Sequence, residues 1–353
     1  MRILVITDAW HPQINGVVRT LATLGEELTR LGHDVISITP DQFRSVPCPT
    51  YPEIRLSLFP GRKMAKLIEA HQPCAIHIAT EGPLGLAGRR YCVKRGLPFT
   101  TAYHTRFPEY IKARFRLPLS LSYRLVRWFH APASAVMVAT QSIEDDLVRR
   151  GFKNIRRWTR GVDTALFRPG EKDDVLYPWP RPINLYVGRV AIEKNIEAFL
   201  SLDLPGTKVV VGDGPQMDAL KARYPATKFL GAKQGEELAR HYRAADLFVF
   251  PSRTDTFGLV LLEALASGLP VAAYPVAGPL DVLGDSPTGC LDEELGRAAR
   301  QALAIEPGLC RAHALGFSWE ASARQFLGNL DPFDSQEFFI ESDLGAVAPL
   351  ASL

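Results

Sequence analysis

The run PSRTDTFGLVLLEALASGLP, residues 251–270, holds the densest chemistry in this 353-residue chain. The apolar residues 246–250 before it read as a strand, and 258–267 read as a helix, with a polar turn between them. A helix N-terminus offered there carries unpaired backbone N–H groups and partial positive charge, a seat for phosphate. Asp255 and Glu263 bracket that seat. Phosphate next to carboxylates that accept from hydroxyls points to a nucleotide-sugar. Arg189 follows a second apolar run, 183–187, through Gly188, and Lys194 stands just before a helical stretch. Two fixed cations at the C-terminal edge of a sheet can hold a diphosphate and stabilise it as it leaves. The plainer alternative is two solvated surface charges.

Further candidates follow other strand-like runs. Asn15-Gly16 stands in the first loop, where glycine lets backbone approach a phosphate or simply makes a turn. That loop lacks GxGxxG, which argues against a dehydrogenase. Gly212-Asp213-Gly214-Pro215 lacks it too, and reads equally as a ligand contact or as a tight turn with Pro opening a helix. His104 follows the run 99–103, so it faces a cleft at a sheet edge or is a satisfied structural histidine. Glu81 either meets an acceptor hydroxyl or caps the next helix. No Asp-x-Asp follows a strand and no His cluster exists, so neither a metal site nor a cofactor is expected. Arg189, Lys194 and the helix end can supply the electrostatic stabilisation instead.

These residues need elements that bring them to common edges. Strand-like and helical runs alternate throughout, which predicts parallel sheets in doubly wound domains. The first half reads as strands 2–7, 34–39, 75–79, 99–103 and 135–139, with helices 17–31 and 84–95. A Pro- and charge-rich stretch, 168–182, reads as the linker. The second half restarts with strands 183–187, 208–211, 228–230 and 246–250. Its helices are 195–200, 236–244, 258–267, 291–305 and 319–327. From Asp331 no period is evident, and a mobile tail is expected. The expected division is 1–165, 166–330 and a tail 331–353, with a cleft between the two domains.

Length favours two domains, and a hydrophobic share of 46% is ordinary for a protein with real cores. No apolar run reaches the ~18–20 residues that cross a bilayer. The N-terminus enters ILVIT directly and reads as a first strand, without a signal-peptide pattern. Five widely spaced cysteines without a CxxC pair read as reduced thiols in a cytosolic protein. The net charge of +3 hides a split: residues 1–165 hold 24 Lys/Arg against 13 Asp/Glu, the remainder 17 against 25. A basic half can meet nucleic acid, an anionic membrane or the acidic half. Residues 109–131 combine Lys112, Arg114, Arg116, Arg124 and Arg127 with Phe115, Leu121, Leu125, Trp128 and Phe129. Leu121, Leu125 and Phe129 share one helical face, which suits a helix lying in an anionic membrane interface, or one packed on its own domain.

The motifs together resemble glycosyltransferase family 4, retaining enzymes of GT-B fold, to about residue 328. Its carriers are NGVVRT (15–20), TAYHTRFP (101–108), RGVDTALFRP (160–169), YVGRVAIEKN (186–195), VGDGP (211–215) and DTFGLVLLEALASGLPV (255–271). The resemblance implies two Rossmann-like domains facing a cleft, the last helix crossing back to the first. It implies that Gly16 approaches the donor diphosphate, that Arg189 and Lys194 neutralise it, and that Glu263 holds the donor ribose. Backbone at Phe257, Gly258 and Leu259 would meet phosphate and sugar, Asp255 the hydroxyls of the transferred sugar, and His104 would sit beside that sugar. The family pattern usually has Glu where Asp255 stands, which bears on the donor sugar.

What the resemblance implies is a metal-independent hexosyltransferase working by front-face attack. HIATEGPLG and TAYHTRFPEY resemble the branch acting on diacylglycerol. The expected reaction moves a hexose-type sugar from a UDP-sugar to a membrane lipid. The enzyme would be cytoplasmic, peripheral at the inner face of the cell membrane, with no nucleic-acid partner. The alternatives are a GDP-mannose-dependent α-mannosyltransferase acting on a glycolipid or glycan, a nucleotide-sugar epimerase, and a silent nucleotide-sugar-binding subunit.

Overall fold

The computed structural model describes residues 1–13, 15–48, 51–104, 106, 108–109 and 118–344. Fourteen strands are present among them. Six form the first sheet, in the order β2-β1-β5-β6-β7-β8: β1 (Arg2–Ile6), β2 (Asp34–Ile38), β5 (Ala75–Ile78), β6 (Thr100–Ala102), β7 (Ala135–Val138) and β8 (Ile155–Arg157). Between β2 and β5 lies an antiparallel hairpin, β3 (Ser45–Cys48) and β4 (Tyr51–Ser57). The second sheet has the order β11-β10-β9-β12-β13-β14. Its strands are β9 (Ile183–Val187), β10 (Thr207–Val211), β11 (Lys228–Phe229), β12 (Leu247–Phe250), β13 (Val271–Ala273) and β14 (Gly289–Leu291). Every pair in both six-stranded sheets is parallel. All strands of a sheet therefore end at one edge, and loops from several strands meet there.

Strand alternation sorts side chains into layers on both faces. Leu4 and Ile6 of β1 pack on one side of the first sheet, Ile3 and Val5 on the other. In the second sheet Leu185 and Val187 join Val209, Val211, Phe248 and Phe250 on one face, while Tyr186 joins Val210, Leu247 and Val249 on the opposite one. Burial on both faces is why these strands are almost wholly apolar, as a helix-covered parallel sheet requires.

The structure adds elements to the expected order and corrects two. The hairpin, the helices Gly61–His71, Gln141–Arg149 and Ala277–Leu283, and the strands β8, β13 and β14 were not foreseen. The stretch expected to be helical over 291–305 is β14 followed by the helix Leu295–Ala302. The segment from Asp331, expected to be a mobile tail, instead contains the helix Ser335–Leu344. Phe339 there is buried among Leu4, Ile38, Ile78 and Phe129 of the first domain, with Phe333 and Phe338 beside it. Adjacent aromatics in a ten-residue stretch without helical period carry no amphipathic signal, so only tertiary packing reveals this helix.

The helix Trp319–Asn329 packs on the first domain as well. Phe326, Ala323 and Leu330 lie with Ile3, Val5, Leu24 and Trp158. Trp158 Nε1 donates to Ser322 Oγ at 3.2 Å, Thr159 N to Gln325 at 2.7 Å, and Asn329 to the Arg157 carbonyl at 2.6 Å. Residues 168–182 carry no helix or strand, yet Tyr177 is buried under the second sheet and bonds His241 Nδ1 at 2.8 Å.

Candidate active site

The two sheets face each other through their C-terminal edges, and named atoms meet across the gap. The helix Gly16–Arg30 points its first turn at the helix Leu259–Ala266: a Cβ built on Gly16 would lie 3.9 Å from Leu259. Thr256 Oγ1 donates to the His104 carbonyl at 2.6 Å, and the Thr256 carbonyl accepts from Thr140 Oγ1 at 3.3 Å. Asp281 of the second domain accepts from Gln141 N at 3.0 Å and also takes Ser142 N, capping the helix Gln141–Arg149. These contacts join the two domains where the first turns of the helices Gly16–Arg30 and Leu259–Ala266 approach each other.

On the second domain, the helix Leu259–Ala266 begins at Gly258, whose φ of +85° is left-handed and favours glycine. Among the described residues no side chain caps its first turn, where Leu261 N donates to the Gly258 carbonyl at 2.9 Å; first-turn N–H groups are the ones a helix leaves without intrahelical partners. Phe257 is buried just before it. The turn is braced from the neighbouring loop: Asn195 Nδ2 donates to the Pro251 carbonyl at 3.0 Å, and Thr254 Oγ1 to the Glu193 carbonyl at 3.1 Å. That loop carries half-buried Arg189, whose carbonyl accepts from Tyr186 Oη at 2.9 Å, and Lys194, whose ammonium pairs with Asp255 Oδ1. Asp255 Oδ2 is buried and takes no hydrogen bond among the described residues, an acceptor left over for a hydroxyl. Gly212 is not a loop glycine of convenience: a Cβ there would stand 1.8 Å from the Gly188 carbonyl oxygen, so it permits two sheet-edge loops to touch. The helix after it begins at Met217, which leaves Pro215 ahead of the first turn and not within it.

Glu263 lies one turn further along and is 2% exposed. Its Oε2 accepts from Tyr242 Oη at 2.9 Å, and its Oε1 pairs with the Arg19 guanidinium from the opposite domain. Burial, with the Glu263 charge next in size, holds the Tyr242 hydroxyl well above its usual pKa, so it stays protonated and donates. Both carboxylate oxygens are thus fixed in direction. Arg19 sits three residues after Gly16, inside NGVVRT, and was missed together with Tyr242 and Thr256. Arg19 shared a motif with a chosen residue, but nothing in the sequence ties residue 19 to residue 263.

On the first domain, His104 follows β6. Its Nδ1 lies 3.3 Å from Arg160 Nη2, its ring stands edge-on to Trp158 at 5.6 Å, and its Nε2 is buried without a hydrogen-bond partner among the described residues. Burial first, and then the Arg160 charge, hold the imidazole well below its ordinary pKa, so it is neutral at pH 7. Glu81 bonds His130 Nε2 at 3.2 Å, and His130 Nδ1 bonds Thr101 Oγ1 at 2.8 Å. Glu81 does not cap the helix Pro83–Arg95. Asp8 does, accepting from Leu84 N at 2.8 Å and Gly85 N at 3.2 Å.

The segment expected to be an amphipathic helix over 109–131 is helical over Leu119–His130, while Lys112, Arg114, Phe115 and Arg116 lie outside the described residues. Its exposed apolar stripe is Leu121 (57%), Leu125 (60%) and Trp128 (50%), at i, i+4 and i+7. The expected third member, Phe129, is instead in the core at 2% exposure. Arg89 of the adjacent helix stacks on Trp128 at 3.9 Å, and Leu86 and Val93 of that helix are also exposed. Among the described residues no group of three or more His, Cys, Asp or Glu could hold a metal ion, and no helix is long and apolar enough to cross a membrane.

Two doubly wound domains facing a cleft define a protein of the GT-B fold. Sucrose-phosphate synthase from Thermosynechococcus elongatus has this architecture, with a TM-score of 0.75 at 23% identity over 98% of this chain and all of that one. Residues 14–166 match Glycosyltransferase Family 4, and residues 181–305 match Glycosyl transferases group 1. A GDP-mannose-dependent alpha-mannosyltransferase of Mycolicibacterium smegmatis is 30% identical over 82% of this chain and 84% of its own length. An alpha-monoglucosyldiacylglycerol synthase of Streptococcus pneumoniae is 29% identical over 92% of this chain and 83% of its own. The chain belongs to glycosyltransferase family 4 and is a glycosyltransferase.

Proposed function

We propose that this enzyme moves a hexose-type sugar, with retained configuration, from a UDP-sugar to a membrane lipid of diacylglycerol type. The observation that carries the lipid half is the exposed Leu121, Leu125 and Trp128 stripe, flanked by Arg124 and Arg127 on the domain that also presents His104. Apolar side chains in a row beside arginines suit the headgroup boundary of an anionic membrane, at whose cytoplasmic face the enzyme would bind peripherally. The similarity to a diacylglycerol glucosyltransferase supports the same reading.

The donor half rests on the second domain. The diphosphate would lie at the first turn of the helix Leu259–Ala266, between Arg189, Lys194 and the approaching backbone of Gly16. Glu263, already oriented by Tyr242, would accept from the ribose hydroxyls, and the spare Asp255 oxygen from a hydroxyl of the transferred sugar. As the glycosidic C–O bond breaks, charge builds on the leaving diphosphate, where fixed cations and helix donors stabilise it. The acceptor hydroxyl attacks from the same face and its proton passes to the departing phosphate oxygen. Arg189, Lys194 and the helix end supply the positive charge for this step, so activity is expected to persist in EDTA.

The similarity to a GDP-mannose-dependent enzyme favours a second reading, transfer of mannose from GDP-mannose. One experiment separates the two. Purified enzyme is given UDP-glucose, UDP-galactose, UDP-glucuronate or GDP-mannose with vesicles of diacylglycerol and anionic phospholipid, in EDTA. Products are read by mass spectrometry. A glycosyl-diacylglycerol formed from a UDP-sugar is the expected result. Product from GDP-mannose alone would establish the second reading, and activity appearing only with magnesium would overturn the metal-free step.

A further inference from the structure

His104 sits in a buried column of rings. Phe326 packs against both His77 and Trp158, at 4.9 and 5.0 Å between ring centroids, and His104 stands edge-on to the same Trp158 at 5.6 Å. The Arg160 guanidinium carbon sits over the Trp158 ring, 3.9 Å from its centroid. Its Nη1 is anchored by the Trp158 carbonyl at 2.5 Å and the Thr159 carbonyl at 3.0 Å, which leaves Nη2 directed at His104 Nδ1. Arg160 is itself buried, at 4% exposure. Burial lowers it only to about 9, so it is a cation at neutral pH.

A guanidinium has donors and no acceptor. A bond between it and an imidazole nitrogen therefore requires a lone pair on that nitrogen. Neutral imidazole has one lone pair and one N–H, so the second nitrogen must carry the proton. We propose that Arg160 is a positioning residue that fixes the tautomer of His104, leaving Nδ1 as acceptor and the proton on Nε2, so that the imidazole serves the bound sugar as a hydrogen-bond donor and not as a base. Nε2 is the ring atom left buried and unpaired among the described residues, which gives the donor a role to fill. The titratable and charged groups facing the ring are Arg160, His77 from β5 and His130 from the helix Leu119–His130; each opposes a second proton on it. Thr256 meets the ring's own residue only through the backbone carbonyl and adds no charge. The donor role, though not the tautomer, rests on the placement of His104 beside the transferred sugar.

The test uses the full chain labelled with 15N-histidine. Long-range 1H–15N correlation spectra report which ring nitrogen is protonated, and the His104 signals are assigned by their loss in His104→Asn. The expected pattern is the Nε2–H tautomer, unchanged from pH 8 to pH 5. A proton on Nδ1, or titration of His104 near pH 6.5, would overturn the proposal, and the tautomer is read on the unaltered chain, with His104→Asn used only to assign the signals. Arg160→Met is expected to release the tautomer into a mixture and to lower kcat by up to about 100-fold, the scale for a group displaced by about an ångström. Arg160→Lys keeps a donor and is expected to restore the Nε2–H pattern and part of kcat. If the tautomer is as expected and Arg160→Met turns over like the parent, the donor role falls and the tautomer assignment survives.

Discussion

Glu263 draws its two partners from different domains, and that decides what each of them does. Tyr242 belongs to the same domain and aims one oxygen; Arg19 reaches across the cleft and holds the other. A nearly fully buried carboxylate stripped of its cation is costly, but Arg19 is partly exposed, so water screens part of the loss. Arg19→Ala is expected to destabilise the fold by about 1–3 kcal/mol in urea titrations and to raise the donor KM more than it lowers kcat. An unchanged KM would mean that the pair merely tethers the domains. The candidate residues of the second domain stood out in the sequence because Arg189, Lys194 and Asp255 lie where a strand ends or a helix begins, with Glu263 about one turn beyond. Their partners were not. Arg19, Tyr242, Thr256 and Arg160 act through distances in space that no local spacing encodes.

The helix Leu119–His130 shows how far periodicity reaches at the scale of an element. Its helical period is plain, but it has two apolar stripes. Tyr123, Val126 and Phe129 face the core, and Leu121, Leu125 and Trp128 face out. Sequence alone cannot tell which stripe has a partner, so Phe129 was placed on the wrong one. Substituting the outer stripe should leave stability nearly unchanged, since its members already meet solvent. Leu121→Asp with Leu125→Asp is expected to abolish flotation with anionic vesicles at unaltered melting temperature, while Arg124→Gln with Arg127→Gln should weaken it in a salt-dependent way. Binding that persists in both variants would remove the membrane reading. Other elements escaped notice for physical reasons. The hairpin strands carry Pro47 and Pro52, which suit an edge but blur the strand signal. The helix Ala277–Leu283 has Pro279 in its first turn, a tolerated place that reads as a breaker.

Across the whole molecule, buried histidines tie stability to pH. Burial draws His77 down to about 3 and His241 down to about 4, and His104 well below the ordinary value. All three are neutral when folded and take a proton near pH 6.5 when unfolded. Below that pH the unfolded chain binds more protons, so stability falls with acidification until the folded values are passed. Asp8 works in the opposite sense just above its unfolded pKa, because burial raises it. Between pH 6.5 and 5, urea titrations should show a loss on the order of 2 kcal/mol for each of His77 and His241, and a flat profile would contradict their burial as neutral rings. The alternation of strands and helices made nine of the twelve strands of the two sheets legible from the start, and the two-domain architecture with them. The resemblance implied that the helix around Trp319 crosses back to the first domain; what stayed hidden was that the segment after it, with Phe339, helps to finish that domain. Phe326 and Phe339 cover faces of a sheet whose first strand is Arg2–Ile6. A ribosome delivers those two rings only after making the entire second domain. Throughout that interval the nascent amino-terminal half carries greasy, uncovered surface, and its burden on chaperones is set by the order of synthesis and not by the stability of the finished enzyme.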